Sequence, residues 1–435
     1  MRAAVHGTVA PMRIGLVGTR LVGVDGVSFE TLKWEQILRR LGHETRLCAA
    51  ELPQDRDGGR LIPAMHFTYP PAMAVSTAAF DPSADPQTVR REVGRLADEL
   101  LAQLAAWVEA QGIELLIVEN AWAIPMQLPL GVALARLVEE LRMPAIGHHH
   151  DYFWERERFA TCIVPDVLEA AFPPDLPSVQ HVSINSLAAA ELQRRRGLSS
   201  VVVPNAYEFE VPPSGRDDFS RSLRSELGMG THNLLVVQPT RVVPRKGIEL
   251  AIELVHRLDD PRAHLLITSP AGDEGLEYLS QLHVAADRLG VDLRYAADRF
   301  AHERFHHGDR RTFAVADAYL ETDLVTFPSL YEGFGNALVE TVYFGKPLVV
   351  NRYSVYDADI RPLGFRFVEI NGSVTDQAVA ETRALINDEA RRAEDAAHNF
   401  AIGLKYLGFT MLRERLATLL EKAQQTAAGD QAVSA

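Results

Sequence analysis

Two acids and two cations are spaced in this chain as a site for an anionic, hydroxyl-rich molecule would need them. Glu332 and Glu340 stand in the stretch LVTFPSLYEGFGNALVE, residues 324–340, and Arg241 and Lys246 in the earlier stretch QPTRVVPRKG, residues 238–247. The later stretch opens as a short apolar strand, breaks at Pro328-Ser329, passes Gly333 and Gly335, and restarts as a helix near Asn336. In a parallel sheet such corners sit at the carboxyl ends of strands, where ligands bind, and the helix start offers free N–H groups and a positive dipole end to an anion. Glycine there lets the backbone come close to a ligand. Acids beside an anion would repel it unless they accept hydrogen bonds from something else, and sugar hydroxyls are the fitting donors. Arg241 and Lys246 lie in a second turn of this kind, between an apolar strand over residues 233–238 and an amphipathic helix over residues 248–258. Two cations at that turn can neutralise a diphosphate.

A third group follows another expected strand, in the segment GHHHDYFWERER, residues 147–158. Successive strand residues point to opposite faces, so at most His148 and His150 share a face, and two ligands without an evident third make a poor zinc site. No metal is expected. A histidine cluster packed on its own carboxylate and aromatics is the structural alternative. Arg156 and Arg158 could hold an acidic ligand, or could pair with Glu155 and Glu157 on a solvated helix face.

The elements that must position these groups alternate along the chain. Strands are expected at residues 13–17, 45–48, 114–118, 144–147, 181–184, 201–203, 265–268, 291–295 and 346–350, separated by helices that include residues 86–111, 130–141, 187–196 and 276–289. A glycine-rich turn over residues 18–26 leads from the first strand to a helix over 31–41 that Ser28 can cap. Residues 55–85 and the histidine-rich segment 299–311 read as loops, and two helices close the chain over 390–427. This rhythm is that of two doubly wound α/β domains. The expected boundaries are a loose extension over 1–12, a first domain over 13–206, a connection over 207–228, a second domain over 229–400, and a last helix over 401–435.

With 435 residues, 47% of them hydrophobic and 23% charged, the chain can bury large cores. A net charge of −14 argues against nucleic acid as a partner, since phosphate contacts need clustered Lys and Arg. No apolar run reaches the ~18 residues of a spanning helix and no signal-peptide pattern opens the chain, so a cytoplasmic location is expected. Cys48 and Cys162 have no metal-ligand spacing, which suits a reduced, structural role.

The pattern S-x-x-E-G-F-G-N-x-x-x-E from Ser329 to Glu340 resembles the donor-site motif of retaining nucleotide-sugar glycosyltransferases of family 4, which have the GT-B fold. The resemblance implies two Rossmann-like domains facing across a cleft. It gives Glu332 to the donor sugar and Glu340 to the ribose, and places Gly333, Phe334, Gly335, Asn336, Ala337 and Leu338 along the donor. Arg241 and Lys246 match the family's R-x4-K pair, and Gly23 and Gly26 its diphosphate-facing loop. His150 with Asp151 matches the H-D at a strand end, with the histidine near the reacting sugar. His148, His149, Asp151, Arg156 and Arg158 are then candidates for the acceptor.

The implied reaction moves a hexosyl group from a UDP-, GDP- or ADP-sugar to a hydroxyl acceptor, with retention and without a metal or cofactor. A small polar or acidic metabolite or glycoside is the expected acceptor: no basic amphipathic helix is present to dock on anionic lipid, and His148 to His150, Arg156 and Arg158 offer local cations. A sugar-nucleotide epimerase of the same fold and a catalytically silent sugar-nucleotide-binding protein are the alternatives.

Overall fold

The computed structural model of the protein describes residues 10–22, 26–53, 58–271, 276–301, 303–308 and 310–434, without the side chains of 307 and 427–434. The chain divides into two compact units, one of Met1–Ala206 with Thr410–Ala435 and one of Tyr207–Phe409. No helix among the described residues is long and apolar enough to cross a membrane.

The first unit runs β1 (Arg13–Gly18), α1 (Gly26–Arg40), β2 (Glu44–Ala49), β3 (Arg60–Leu61), α2 (Pro70–Ala78), α3 (Pro86–Gln111), β4 (Leu115–Glu119), α4 (Leu128–Leu141), β5 (Ala145–His149), α5 (Pro165–Ala171), β6 (Val179–Ser183), α6 (Ser186–Arg196) and β7 (Ser200–Val202). Among the described residues the strands form one sheet in the order β3-β2-β1-β4-β5-β6-β7, every pair parallel. A parallel strand covered on both faces must be apolar throughout, and β4, Leu-Leu-Ile-Val-Glu, is buried at all five positions. Its last residue is the exception in chemistry, a carboxylate in the core.

α3 forms where the spacing predicts a helix. Asp85 accepts from the Thr88 N–H at 2.9 Å, Pro86 occupies the first turn, and Gly112 closes the helix at φ 59°. Val89, Val93, Leu96, Leu100 and Leu104 recur at helical spacing on the buried face, each worth roughly 1.5–3 kcal/mol relative to exposure.

Two expectations for this unit are corrected. Residues 55–85, read as loops, contain α2, whose start is fixed by Pro70 and Pro71 with φ already set for a helix. Ser28 does not cap: it lies inside α1, buried, with its hydroxyl donating to the Val22 carbonyl at 3.3 Å.

The second unit runs α7 (Asp218–Glu226), β8 (Leu234–Gln238), α8 (Ile248–Leu258), β9 (Ala263–Ile267), α9 (Glu277–Leu289), β10 (Asp292–Tyr295), β11 (Phe300–Ala301), β12 (Phe305–His307), β13 (Arg310–Ala314), α10 (Val315–Glu321), β14 (Leu324–Phe327), α11 (Asn336–Tyr343), β15 (Leu348–Asn351), β16 (Val368–Ile370), α12 (Asp376–Asn387) and α13 (Glu389–Leu407). Its main sheet is parallel in the order β10-β9-β8-β14-β15-β16. The last helix, α14 (Phe409–Ser434), falls from Thr410 onward in the first unit, where the Leu419 carbonyl accepts from the Gln180 side chain at 3.0 Å.

The segment 299–311 is not a loop. β13 pairs with β11 and, antiparallel, with β12, and Phe313 on β13 is fully buried against Leu223 of α7 and its neighbours. Many charges in the sequence hid this element. Arg304 and Arg311 lay their guanidinium groups 5.0 and 5.4 Å from the Phe219 ring, so charged side chains cover an aromatic cluster.

In both sheets the strand order reverses beside the first strand, between β1 and β4 in one unit and between β8 and β14 in the other. Ligands of doubly wound sheets bind at such reversals, beyond the carboxyl ends of the strands. In the second unit Gln238 marks the place. Buried at the end of β8, it donates to Thr240 Oγ1 and accepts from Thr326 Oγ1 of β14, both at 2.8 Å, which ties the two strand ends together.

Candidate active site

β8 and β14 end side by side, and each leads through a turn into a helix. The turn after β8 carries Arg241, Arg245 and Lys246; the turn after β14 carries Glu332. Lys246 and Glu332 are both buried and form an ion pair, Nζ to Oε1, while Arg245 approaches Glu332 Oε2 at 3.3 Å. Arg245 also donates to the Tyr331 carbonyl at 3.2 Å, and the Leu330 N–H donates to the Arg245 carbonyl at 2.8 Å. Arg241 is exposed and has no carboxylate partner among the described residues.

Two close approaches make these turns possible. Gly247, at φ 58°, would put a Cβ 2.6 Å from the Pro328 carbonyl oxygen, and Gly335, at φ 127°, would put one 2.6 Å from Tyr353 Oη. The Tyr353 hydroxyl donates to the Phe334 carbonyl at 2.5 Å, and Asn351 donates to the Ser329 carbonyl at 2.9 Å. The second turn is thereby held from β15 and the segment behind it.

Burial is the largest influence on both members of the central pair, and the net shifts differ for a countable reason. Burial alone would raise Glu332, yet Lys246 and Arg245 hold its carboxyl below the usual range. For Lys246, burial together with Arg245 and Arg241 outweighs the single carboxylate and lowers the ammonium. The carboxylate is therefore the secure charge of the pair. Three cations, Arg241, Arg245 and Lys246, stand beside the one carboxylate of Glu332, and with Glu249 in the first turn of α8 the two corners still carry net positive charge, to which the helix dipoles add. An anion matches that excess.

Glu340 lies on α11 and accepts from the buried Tyr319 hydroxyl at 2.8 Å. Gly333, Phe334, Gly335 and Asn336 form the turn and the helix start, and Ala337 and Leu338 are buried in the first turn of α11. Arg245 is the member of this group that the motif spacing did not single out, although it sits in the same basic turn.

In the first unit, His148 and His149 end β5 and His150 follows it directly, the three split to alternate faces as an extended chain requires. His148 Nδ1 lies 2.9 Å from Glu119 Oε2, its ring is stacked on Trp34 at 4.0 Å between centroids, and the His150 ring is 4.5 Å away. His149 turns to the other face, fully buried, with Nε2 3.0 Å from His181 Nδ1. Its burial between other imidazoles keeps it neutral well below the ordinary histidine range. His149 is thus not brought together with His148, His150 and Asp151.

Asn120, in the left-handed region at φ 55°, receives the His150 N–H on its side-chain oxygen at 2.9 Å and donates to Asp151 Oδ1 at 3.1 Å. Asp151 also takes the Arg156 guanidinium. Of the alternatives for Arg156, its pairing with a neighbouring glutamate gives way to the one with Asp151, and Glu155 accepts from the Tyr152 N–H at 2.9 Å. Arg158 lies over the Phe159 ring, 4.7 Å from its centroid. Gly26 is the first residue of α1, and Gly23 lies outside the described residues.

The third group that the histidine spacing could not reveal is Glu119, which comes from the neighbouring strand through the register Glu119↔His148. Burial pushes its carboxyl up, but the adjoining histidines, if charged, bring it down to about 2. Burial simultaneously lowers His148. Among the described residues, this buried carboxylate is paired with imidazoles alone.

The family profile described as Glycosyl transferases group 1 matches residues 220–400. The mannosylglucosylglycerate synthase of Thermotoga maritima is 30% identical over 93% of this chain and 99% of its own. The chain belongs to the group 1 glycosyltransferases. It is a retaining hexosyltransferase that uses a nucleotide sugar. Among solved structures, Anabaena HepE in complex with UDP and glucose aligns with a TM-score of 0.64 at 16% identity, covering 94% of this chain and all of that one. Sucrose-phosphate synthase from Thermosynechococcus elongatus aligns at 0.67 and 15%, covering 96% of this chain and all of that one. These likenesses establish the GT-B fold. The relatives named are synthases and transferases, which leaves the epimerase alternative without support.

For this glycosyltransferase, Glu340→Ala should weaken nucleotide binding about tenfold or more while leaving turnover at saturating donor within a few-fold, as loss of uniform binding does. Equilibrium titration with nucleoside diphosphates checks it; unchanged affinity would remove Glu340 from the donor site.

Proposed function

We propose that this enzyme transfers a mannosyl group from a nucleoside-diphosphate mannose to a glucosylglycerate, the parts joined in the name of its Thermotoga maritima relative. Support for the substrates comes from identity across nearly the whole of both chains. Support for the donor assignment comes from one structural observation, the three cations gathered around the single carboxylate of Glu332 at the reversal of the second sheet. Arg241, Arg245 and Lys246 stabilise the departing diphosphate, Glu332 accepts from donor-sugar hydroxyls, and Glu340 holds the ribose. Fixed donors aimed at charge that develops in the transition state favour that state over bound substrate. With side-chain cations in place, no metal is required on the diphosphate.

Acceptor recognition is proposed for the first unit. The H-D motif that His150 and Asp151 match gives the histidine to the reacting sugar, and Arg156 and Arg158 offer positive charge to the glycerate carboxylate, with Asp151 orienting Arg156. Retention follows from attack on the face the nucleotide leaves, a donor phosphate oxygen helping to take the acceptor proton. No carboxylate nucleophile is then needed.

The test is incubation with GDP-, UDP- and ADP-sugars, each with glucosylglycerate, with glycerate, and with neither, followed by mass spectrometry. A product gaining one hexose only when glucosylglycerate is present supports the reading. No hexose gain on glucosylglycerate with any of the donors overturns it. Arg156→Ala should raise the acceptor KM about tenfold or more with donor affinity unchanged; an unaltered KM would take Arg156 out of the acceptor site.

A further inference from the structure

Glu119 is a buried carboxylate at the reversal of the first sheet, and among the described residues only histidines pair with it. Among the described residues its Oε1 atom has no partner, and neither does His150 Nε2, although both atoms are buried. The two groups face each other without bonding: His150 Nε2 is 3.8 Å from Glu119 Oε2, too long for a hydrogen bond. His148 Nδ1 stands 2.9 Å from that same oxygen. One ligand atom from each of the three residues lies within 4.8 Å of the other two.

An ionised carboxylate is costly to bury unless a positive charge and full hydrogen bonding accompany it. A proton on His148 would serve Oε2 alone and leave Oε1 and His150 Nε2 unpartnered. A cation lying among the three residues would engage all of these atoms at once. We infer that Glu119, His148 and His150 hold a divalent transition-metal ion of the zinc class. Two imidazoles and one carboxylate suit zinc and its neighbours rather than magnesium or calcium, which prefer oxygen ligands. Three protein ligands also leave a position for water or a substrate hydroxyl.

The site is prepared before an ion arrives. The Trp34 ring holds the His148 ring by stacking, the Asn120 side chain fixes the His150 backbone, and parallel pairing of β4 with β5 fixes Glu119 opposite His148. This assignment does not depend on the substrates proposed above, and the ion it places is distinct from any on the diphosphate.

The experiment uses the full chain without a histidine tag. Wild-type protein, Glu119→Gln and His148→Asn are stripped with chelator, loaded with Co²⁺, dialysed and measured by elemental analysis and visible absorption. The expected result is about one equivalent of Co²⁺ in the wild type, with the intense absorption of four-coordinate cobalt that Zn²⁺ displaces, and loss of most of it in both variants. Circular dichroism reports whether the variants are folded, and the wild-type spectrum stands by itself if they are not. Wild type that retains under about a tenth of an equivalent, or that shows only the weak absorption of hydrated cobalt, overturns the inference. So does binding that is unchanged in folded variants, which would place the ion elsewhere.

Discussion

Lys246→Ala should lower turnover by roughly two to three orders of magnitude, the range seen when one charge-stabilising donor is removed from a site of this kind. It should also destabilise the second unit, because Lys246 and Glu332 are buried together and the carboxylate would lose its nearest cation. Breaking a buried pair from one side costs about 3–5 kcal/mol, and Arg245 at 3.3 Å, still beside Glu332, places the expected loss near the lower end. Arg241→Ala separates the two effects. Arg241 is exposed and has no carboxylate partner among the described residues, so its removal should leave the melting temperature within about a degree while turnover falls by roughly two orders of magnitude. Steady-state kinetics beside thermal unfolding checks both variants. Wild-type turnover in Arg241→Ala and Lys246→Ala would mean that the excess positive charge has no part in diphosphate departure.

Gly247→Ala should be strongly damaging to the second unit. Gly247 sits in the left-handed region, where a side chain costs about 1–2 kcal/mol, and its new Cβ would lie 2.6 Å from the Pro328 carbonyl oxygen. That oxygen belongs to the backbone of the turn that carries Glu332, so it cannot rotate away as a side chain would. The turns after β8 and β14 must separate, at a further ~1–3 kcal/mol, and Lys246 loses register with Glu332.

We expect a fall in the melting temperature on the order of 10 °C together with loss of nucleotide binding. Gly290→Ala supplies the comparison. At φ 68° it carries the same conformational cost, but nothing lies within 4 Å of its Cβ position. Equal losses in the two variants would show that the close approach at Pro328 does not matter.

Local pattern determined much of this fold. The helices Pro86–Gln111 and Ile248–Leu258 stand where apolar spacing predicts them, the first also marked by proline in its first turn and glycine at its end, since those signals act within a few residues. The strands β4 and β8 are likewise legible as short apolar runs. Local pattern misassigned residues 55–85 and the segment 299–311, the latter because its charged side chains lay their guanidinium groups over Phe219 and Phe313 and so resemble solvated loop in sequence.

At the candidate site, the sequence by itself determined which residue types stand at the two strand-to-helix corners: the E-x7-E spacing, the basic turn, the glycines and the histidine run. Only the tertiary structure decided their partners. Lys246 meets Glu332 because β8 and β14 are neighbours in the sheet although 85 residues separate the two corners, a pairing set by strand order rather than by anything adjacent in the chain. Glu119 meets His148 through the parallel register of β4 with β5, and His149 faces His181 because alternate strand residues point to opposite faces. The physical reason is one of range: helix and turn signals are satisfied by near neighbours, whereas a buried charge must find its opposite wherever the packed sheet places it.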